Sequence, residues 1–427
     1  MANDSADAVS GDEKEVKAGL PDSSARITPF NRVEVAMFAA SQVFDTSLLV
    51  IIVNTRDDDK QDRDKEESVM SEIRTEPVSD ASVWTGSALQ TDRAWEHGFD
   101  AAHVADLEDA LAAVKKRGLT LPEITRAQFP LPSLSTMLDA VSTGLRTGRG
   151  FALLHGFPVE DHSVQDLELM YWGLCSHIGT GITQNSEAGF IHYVTDGKLR
   201  PQQGKRGVGF PKESRLHVDL MDIVTLLCIR QANDDPPSWV ASSTTIYNEV
   251  LRRQPDALVR LYEGFEWDRM EEHREGETPT SGYKVPLFSN ADGAVSCRYN
   301  RSWITKANIR RNSPMSKSDS ALLDLIDDIA AETRLEFPFH AGDIQFCNNY
   351  TTLHGRAAHS VEPDEDKKRI LQRIWLNAPG FRNYADEAII RYGIGAHGQV
   401  GWTADDVIAG RNNEPRARRA DGAVALA

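Results

Sequence analysis

A chain of 427 residues with 47 basic against 64 acidic side chains and a net charge of -17 is long enough to bury a sizeable core. It is too acidic to grip nucleic acid or an anionic membrane through nonspecific charge, so a small-molecule partner is expected. The four cysteines, Cys175, Cys228, Cys297 and Cys347, form no Cys-X-X-Cys pair and nothing resembles a secretory leader, so a reducing, cytoplasmic setting with buried thiols is expected.

In chain order, residues 1–69 read as a disordered or dispensable extension. The first 32 are too polar and acidic to bury much apolar surface. The apolar run Ser47–Val53 falls short of a bilayer span of about 20 residues, and its wider window is interrupted by Glu34, Gln42 and Asp45. Arg56–Glu67 is almost entirely charged, and Met70 directly after it would serve as a start. Residues 70–104 read as a poorly structured lead-in. From about Asp106 the periodicity turns globular: Leu107, Leu111 and Val114, then Leu134, Met137, Leu138 and Val141, recur at helical spacing. Gly150–Pro158 predicts a buried strand closed by a Gly/Pro turn. Ser163 as N-cap, followed by Val164, Leu167, Met170, Leu174 and Ile178, predicts a helix that Gly179 stops.

After Gly181 the texture changes to short apolar runs between turn residues: Gly189–Val194, Leu216–Leu220, Ile223–Ile229, Trp239–Ser243, Tyr283–Phe288, Val295–Tyr299, Leu335–Phe339, Ile344–Cys347 and Ile370–Leu376. So many short strands predict a mainly β fold with helical flanks, built on a jelly-roll core. Helical insertions are expected at about 246–264 and 318–333, and one short helix near Ala385–Tyr392. The domain is expected to run over 105–400, with 401–427 a largely disordered tail.

Three stretches carry chemistry. In an extended strand alternate side chains share a face, so His217 and Asp219 would point the same way and take adjacent positions on one metal ion. Alone the tripeptide is weak evidence in a chain with 12 histidines. A further histidine, His354, follows Gly342-Asp343 and the strand Ile344–Cys347 in a polar, turn-prone run, and would project from a strand end or the loop beyond. Two imidazoles and a carboxylate on one face of an octahedral ion leave the other face open. The third stretch is Arg369-Ile370-Leu371-Gln372-Arg373. Period two puts both arginines on one face of a strand that should be buried, and a buried guanidinium needs an anionic partner such as a carboxylate.

Together with Gly150–Gly156, Tyr171–Gly179 and Gln184-Asn185, these stretches resemble the TauD/TfdA (taurine dioxygenase) family of iron(II)- and 2-oxoglutarate-dependent oxygenases, over about Gly148–Phe381. The resemblance implies that His217, Asp219 and His354 hold iron(II). It implies that Arg369 salt-bridges the far carboxylate of 2-oxoglutarate, and that Ser238 helps hold the same carboxylate, although Asp234-Asp235-Pro236-Pro237 replaces the usual Gly-rich turn. Arg373 would face the iron and touch substrate or co-substrate. The implied reaction is hydroxylation of a C–H bond of a small organic molecule by dioxygen, with release of succinate and carbon dioxide. Desaturation and oxidative cleavage stay open, as do a zinc hydrolase using the same triad and a non-catalytic small-molecule binder. Substrate contacts are expected from Gly179–Asp196, Val208–Arg215 and Arg298–Arg301, with Gln184, Asn185 and Arg373 foremost. No nucleic acid or membrane partner is expected, and self-association into a homo-oligomer is compatible with such a fold.

Overall fold

Period-two apolar patterning in the second half of the chain folds into two facing sheets. The computed structural model describes residues 72–185, 187, 189–198, 209–273, 278–378, 380 and 401–411, all within the unit Lys65–Ala427. The expectations for 1–69, for a helix near Ala385–Tyr392 and for 412–427 fall outside the described residues.

The strands are β1 (Glu96–Gly98), β2 (Phe151–His155), β3 (Thr180–Ile182), β4 (Ile191–Val194), β5 (Ser214–His217), β6 (Ile223–Arg230), β7 (Ser238–Ser242), β8 (Phe288–Ala291), β9 (Ala294–Cys297), β10 (Leu335–Phe337), β11 (Ile344–Asn348), β12 (Thr352–Arg356) and β13 (Ile370–Asn377). The major sheet runs β1-β2-β11-β6-β13-β3, with β4 also on β13; the minor sheet runs β10-β7-β12-β5. From β5 onward, the hairpin β8–β9 apart, the chain shuttles between them: β5 minor, β6 major, β7 and its neighbour β10 minor, then β11 major, β12 minor and β13 major. That alternation is the jelly-roll core that the strand count predicted.

Each face of the major sheet has its own core. Phe151, Leu153, Val224, Cys228, Leu371 and Trp375 point toward the minor sheet and share one buried cluster with its Val240. Their neighbours Ala152, Leu154, Ile223, Leu227, Ile370 and Ile374 point the other way, against the helices that precede the roll. Those helices are α2 (Ala101–Arg117), α3 (Ser135–Thr147) and α4 (Val164–Cys175), whereas α1 (Gly86–Thr91) buries Leu89 in the first core. The Ser163 hydroxyl accepts from the Asp166 N–H, the cap its position predicted. The first insertion divides at Pro255 into α5 (Ser243–Arg253) and α6 (Ala257–Glu263); α7 (Arg301–Arg310), α8 (Lys317–Thr333) and α9 (Ala404–Ile408) complete the set.

Four expectations need correction. Residues 72–104 are not a loose lead-in: Trp84, Leu89 and Trp95 are buried in the inter-sheet core, and β1 pairs in parallel with β2. Residues 401–411 are ordered, with Trp402 buried and its N–H donating to the Thr183 hydroxyl. The run expected over Tyr283–Phe288 becomes strand only at Phe288, as the first arm of the hairpin β8–β9. His354 does not project from a strand end but sits inside β12, between β5 and β7. Glycine makes that close packing possible, because a Cβ on Gly355 would lie 2.6 Å from the Ser214 carbonyl oxygen. No helix among the described residues is long and apolar enough to cross a membrane.

Candidate metal centre

Strand register assembles the site. His354 on β12 is the direct antiparallel partner of His217 on β5, and their ring centroids are 4.4 Å apart. Asp219 lies two residues past His217, just beyond the end of β5, where its side chain still returns toward the imidazoles. There the Val218 N–H donates to the Tyr299 carbonyl at 2.8 Å. The Asp219 N–H donates to Asn349 Oδ1 at 3.0 Å, and Asn349 Nδ2 donates to the Met221 carbonyl at 2.9 Å. The polar Asn348-Asn349 pair thus shapes the turn that presents the carboxylate.

His217 Nε2 is 3.9 Å from Asp219 Oδ1, and His354 Nε2 is 4.0 Å from Asp219 Oδ2. Ligand atoms of the three residues all fall within 4.8 Å of one another. These separations are too long for hydrogen bonds. They leave the three groups near enough to converge on one ion by small side-chain movements. The donor chemistry agrees. His217 Nδ1 is 2.7 Å from the Arg215 carbonyl oxygen, which can only accept, so Nδ1 carries the proton and Nε2 keeps its lone pair. Burial, reinforced by the neighbouring His217, pushes His354 down to about 3, so it is neutral and able to ligate. Asp219 Oδ2 accepts from Trp375 Nε1 at 2.8 Å and from Arg373 Nη1 at 3.1 Å. Two imidazoles and one carboxylate, held this way, fit an iron(II) facial triad.

The triad opens into a cavity of about 690 Å³ that is also lined by Ser238, Arg369 and Arg373. Arg373 Nε donates to Gln184 Oε1 at 2.9 Å, so the guanidinium spans from Gln184 to the metal-facing carboxylate. Arg369 is 3% exposed. Its Nε donates to Gln231 Oε1 at 2.6 Å while its Nη1 is buried without a hydrogen-bond partner. Burial pushes this guanidinium below its ordinary value. No carboxylate among the described residues pairs with it, so an incoming anion would recover what burial costs.

The sequence-predicted residues therefore divide. His217, Asp219, His354, Ser238, Arg369 and Arg373 share one cavity. Gln184 and Asn185, expected to touch substrate, do not line it. Both are fully buried. Gln184 Nε2 donates to the carbonyls of Phe190 and Arg373, and Asn185 Oδ1 accepts from the N–H groups of Glu187 and Gly189. Their amides are spent on orienting Arg373 and closing a turn. Of the expected substrate loops, Val194, residues 209–215, Asn300 and Arg301 do reach the cavity. Sequence reasoning assigns no role to Trp375 or Asn349, and Arg298, at the start of the expected substrate segment Arg298–Arg301, does not line the cavity. Arg298 stacks 3.7 Å above the Tyr350 ring and reaches the Asp219 carbonyl at 3.4 Å. A tryptophan two residues beyond Arg373 on the inward face was the available signal for Trp375.

Residues 115–375 match the family described as taurine catabolism dioxygenase TauD, TfdA family. FR-33289 synthase of Streptomyces rubellomurinus is 28% identical over 322 residues, covering 74% of this chain and 94% of that protein. The taurine hydroxylase-like protein SAT17 of Stachybotrys chartarum is 26% identical over 330 residues, covering 73% and 84%. Among solved structures, the non-heme iron oxygenase OrfP in complex with Fe is similar at a TM-score of 0.49 and 15% identity, covering 66% of this chain and 93% of OrfP.

Proposed function

Because the chain belongs to the TauD, TfdA family and is an iron(II)- and 2-oxoglutarate-dependent dioxygenase, we propose that it hydroxylates an unactivated C–H bond of a small organic molecule at the His217/Asp219/His354 centre. The observation that carries this assignment of residues is the convergence of the three ligands with the unpaired Arg369 in a single cavity. A zinc hydrolase would use the triad but has no need of Arg369, and a binding-only protein has no need of a facial triad.

When bound, iron(II) with 2-oxoglutarate and dioxygen supplies the oxidising power for hydroxylation, with succinate and carbon dioxide as co-products. The protein supplies placement. The Arg215 carbonyl fixes the tautomer of His217. Trp375 and Arg373 hold Oδ2 of Asp219 and keep its carboxylate turned to the imidazoles. Arg369 and Ser238 take the far carboxylate of the co-substrate, and the segment 209–215 with Asn300 and Arg301 receives substrate at the cavity mouth. Four buried free cysteines support a reducing compartment.

The reading is tested by succinate formation in air with iron(II) and 2-oxoglutarate. It should be present in the parent protein with a suitable substrate and lost in His217→Ala. A visible absorption band on anaerobic addition of iron(II) and 2-oxoglutarate should appear without any substrate. A folded protein that gives no band and no succinate would defeat the proposal.

A further inference from the structure

Arg369 is not the only buried cation that lines the cavity. Arg356 is 7% exposed and lines the same space. It stands two residues beyond His354 on β12, so both side chains leave the same face of the strand, about 6.7 Å apart along it. Across the ladder its direct partner on β7 is Ser238, and side chains opposed in this way have Cβ atoms roughly 4.5–5.5 Å apart. The guanidinium groups of Arg356 and Arg369 act on each other as like charges. Arg356 Nη1 donates to the Ala357 carbonyl at 2.7 Å and Nη2 to the Phe210 carbonyl. That leaves three of its five N–H groups without an acceptor among the described residues. No carboxylate of the described residues makes an ion pair with it. The nearest relevant acid, Asp196, is bound to Lys368 Nζ at 3.1 Å.

Two buried guanidinium groups that line one cavity with the Ser238 hydroxyl, neither ion-paired with a carboxylate of the described residues, form a seat for an anion. Resting on the co-substrate reading above, we propose that Arg356 is a second arginine on the far carboxylate of 2-oxoglutarate, closing with Arg369 and Ser238 a three-sided seat for that group. One carboxylate oxygen then faces Arg369 and the other faces Arg356, so the like-charge repulsion between the arginines is relieved only when a dicarboxylate is present. The seat makes the site selective for 2-oxo acids that carry a distal carboxylate. Because Arg356 also holds the Phe210 carbonyl, it ties this seat to the segment at the cavity mouth.

The test compares the parent protein with Arg356→Met, using 2-oxoglutarate and 2-oxobutanoate, which lacks the distal carboxylate. Dissociation constants are read anaerobically from the iron(II) absorption band. Thermal unfolding of metal-free protein with succinate gives a readout independent of iron and of turnover. The expected result is at least tenfold weaker 2-oxoglutarate binding in Arg356→Met, unchanged 2-oxobutanoate binding, and a smaller rise in Tm with succinate. Should Arg356→Met fail to fold, Arg356→Lys keeps the charge without the fork and should still weaken 2-oxoglutarate severalfold. Unchanged 2-oxoglutarate affinity in the folded variant, or an equal loss for both oxo acids, overturns the role of Arg356 alone. So does a rise confined to the KM of the primary substrate. If the parent protein binds no 2-oxoglutarate, the co-substrate reading falls and this inference falls with it.

Discussion

Asp219 is held on one oxygen by two donors of different kinds, and the two should be separable. Trp375 Nε1 donates a neutral hydrogen bond at 2.8 Å, Arg373 a charge-assisted one at 3.1 Å. Trp375→Phe keeps an aromatic ring in the inter-sheet core and removes only the donor. Outer partners of metal ligands commonly influence affinity by about 10–100-fold, so iron(II) binding measured by chelator competition should weaken within that range while Tm falls little. Arg373→Met removes the charge that offsets a buried carboxylate and should weaken iron(II) binding further. Arg369→Met differs in kind. If Arg369 holds the co-substrate as proposed, this change should leave iron(II) affinity intact and raise the KM for 2-oxoglutarate at least tenfold, through loss of a charge-assisted contact.

At the scale of elements, β2 and β11 are joined at one end by a histidine and an aspartate. His155 Nδ1 lies 2.8 Å from Asp343 Oδ1, and the hydrogen bond to that carboxylate raises the His155 pKa above its ordinary value. A raised histidine contributes stability that is fully present below about pH 6.5, its unfolded value, and is lost as pH rises through the higher folded value. Asp343→Asn should bring the His155 titration, followed by NMR, back toward the ordinary value. It should also flatten the decline in Tm across that window. Elements also show where local reading works. Ser163 with its apolar spacing wrote α4, and the short apolar run Ile370–Leu376 wrote β13. The sequence Thr352-Leu-His-Gly-Arg356 holds one large apolar side chain, so nothing local marks β12 as a strand. It is one because β5 and β7 pair with both its edges.

Across the whole molecule, the roll is closed by segments that lie far from it in sequence. Trp84 and Trp95 pack against Phe151, with ring centroids at 5.1 and 5.3 Å. Trp84→Ala or Trp95→Ala should cost about 3–5 kcal/mol, as for large aromatic truncations in cores, read by denaturant unfolding. Gly86 on α1 packs so closely on Arg334 that an added Cβ would lie 1.9 Å from its carbonyl oxygen. Gly86→Ala should therefore displace the segment and lower Tm. Truncation to Met70, by contrast, should leave soluble, active protein, whereas removal of residues through Gly98 should not.

By itself the sequence determined the chemistry and most of the elements. The metal-binding residue types, the arginine pair at period two and the alternation of the inner strands are local patterns, and local patterns survive in one dimension. The register that sets His354 opposite His217, the packing of Trp84 and Trp95 beneath the roll, and the retirement of Gln184 and Asn185 from substrate to support were decided only by the tertiary structure. These depend on which strand edges and buried donors meet. The contacts that join His354 to His217, Trp84 to Phe151 and Arg373 to Gln184 span long stretches of chain, and strand pairing and hydrogen-bond satisfaction at such separations leave no periodic trace in the sequence.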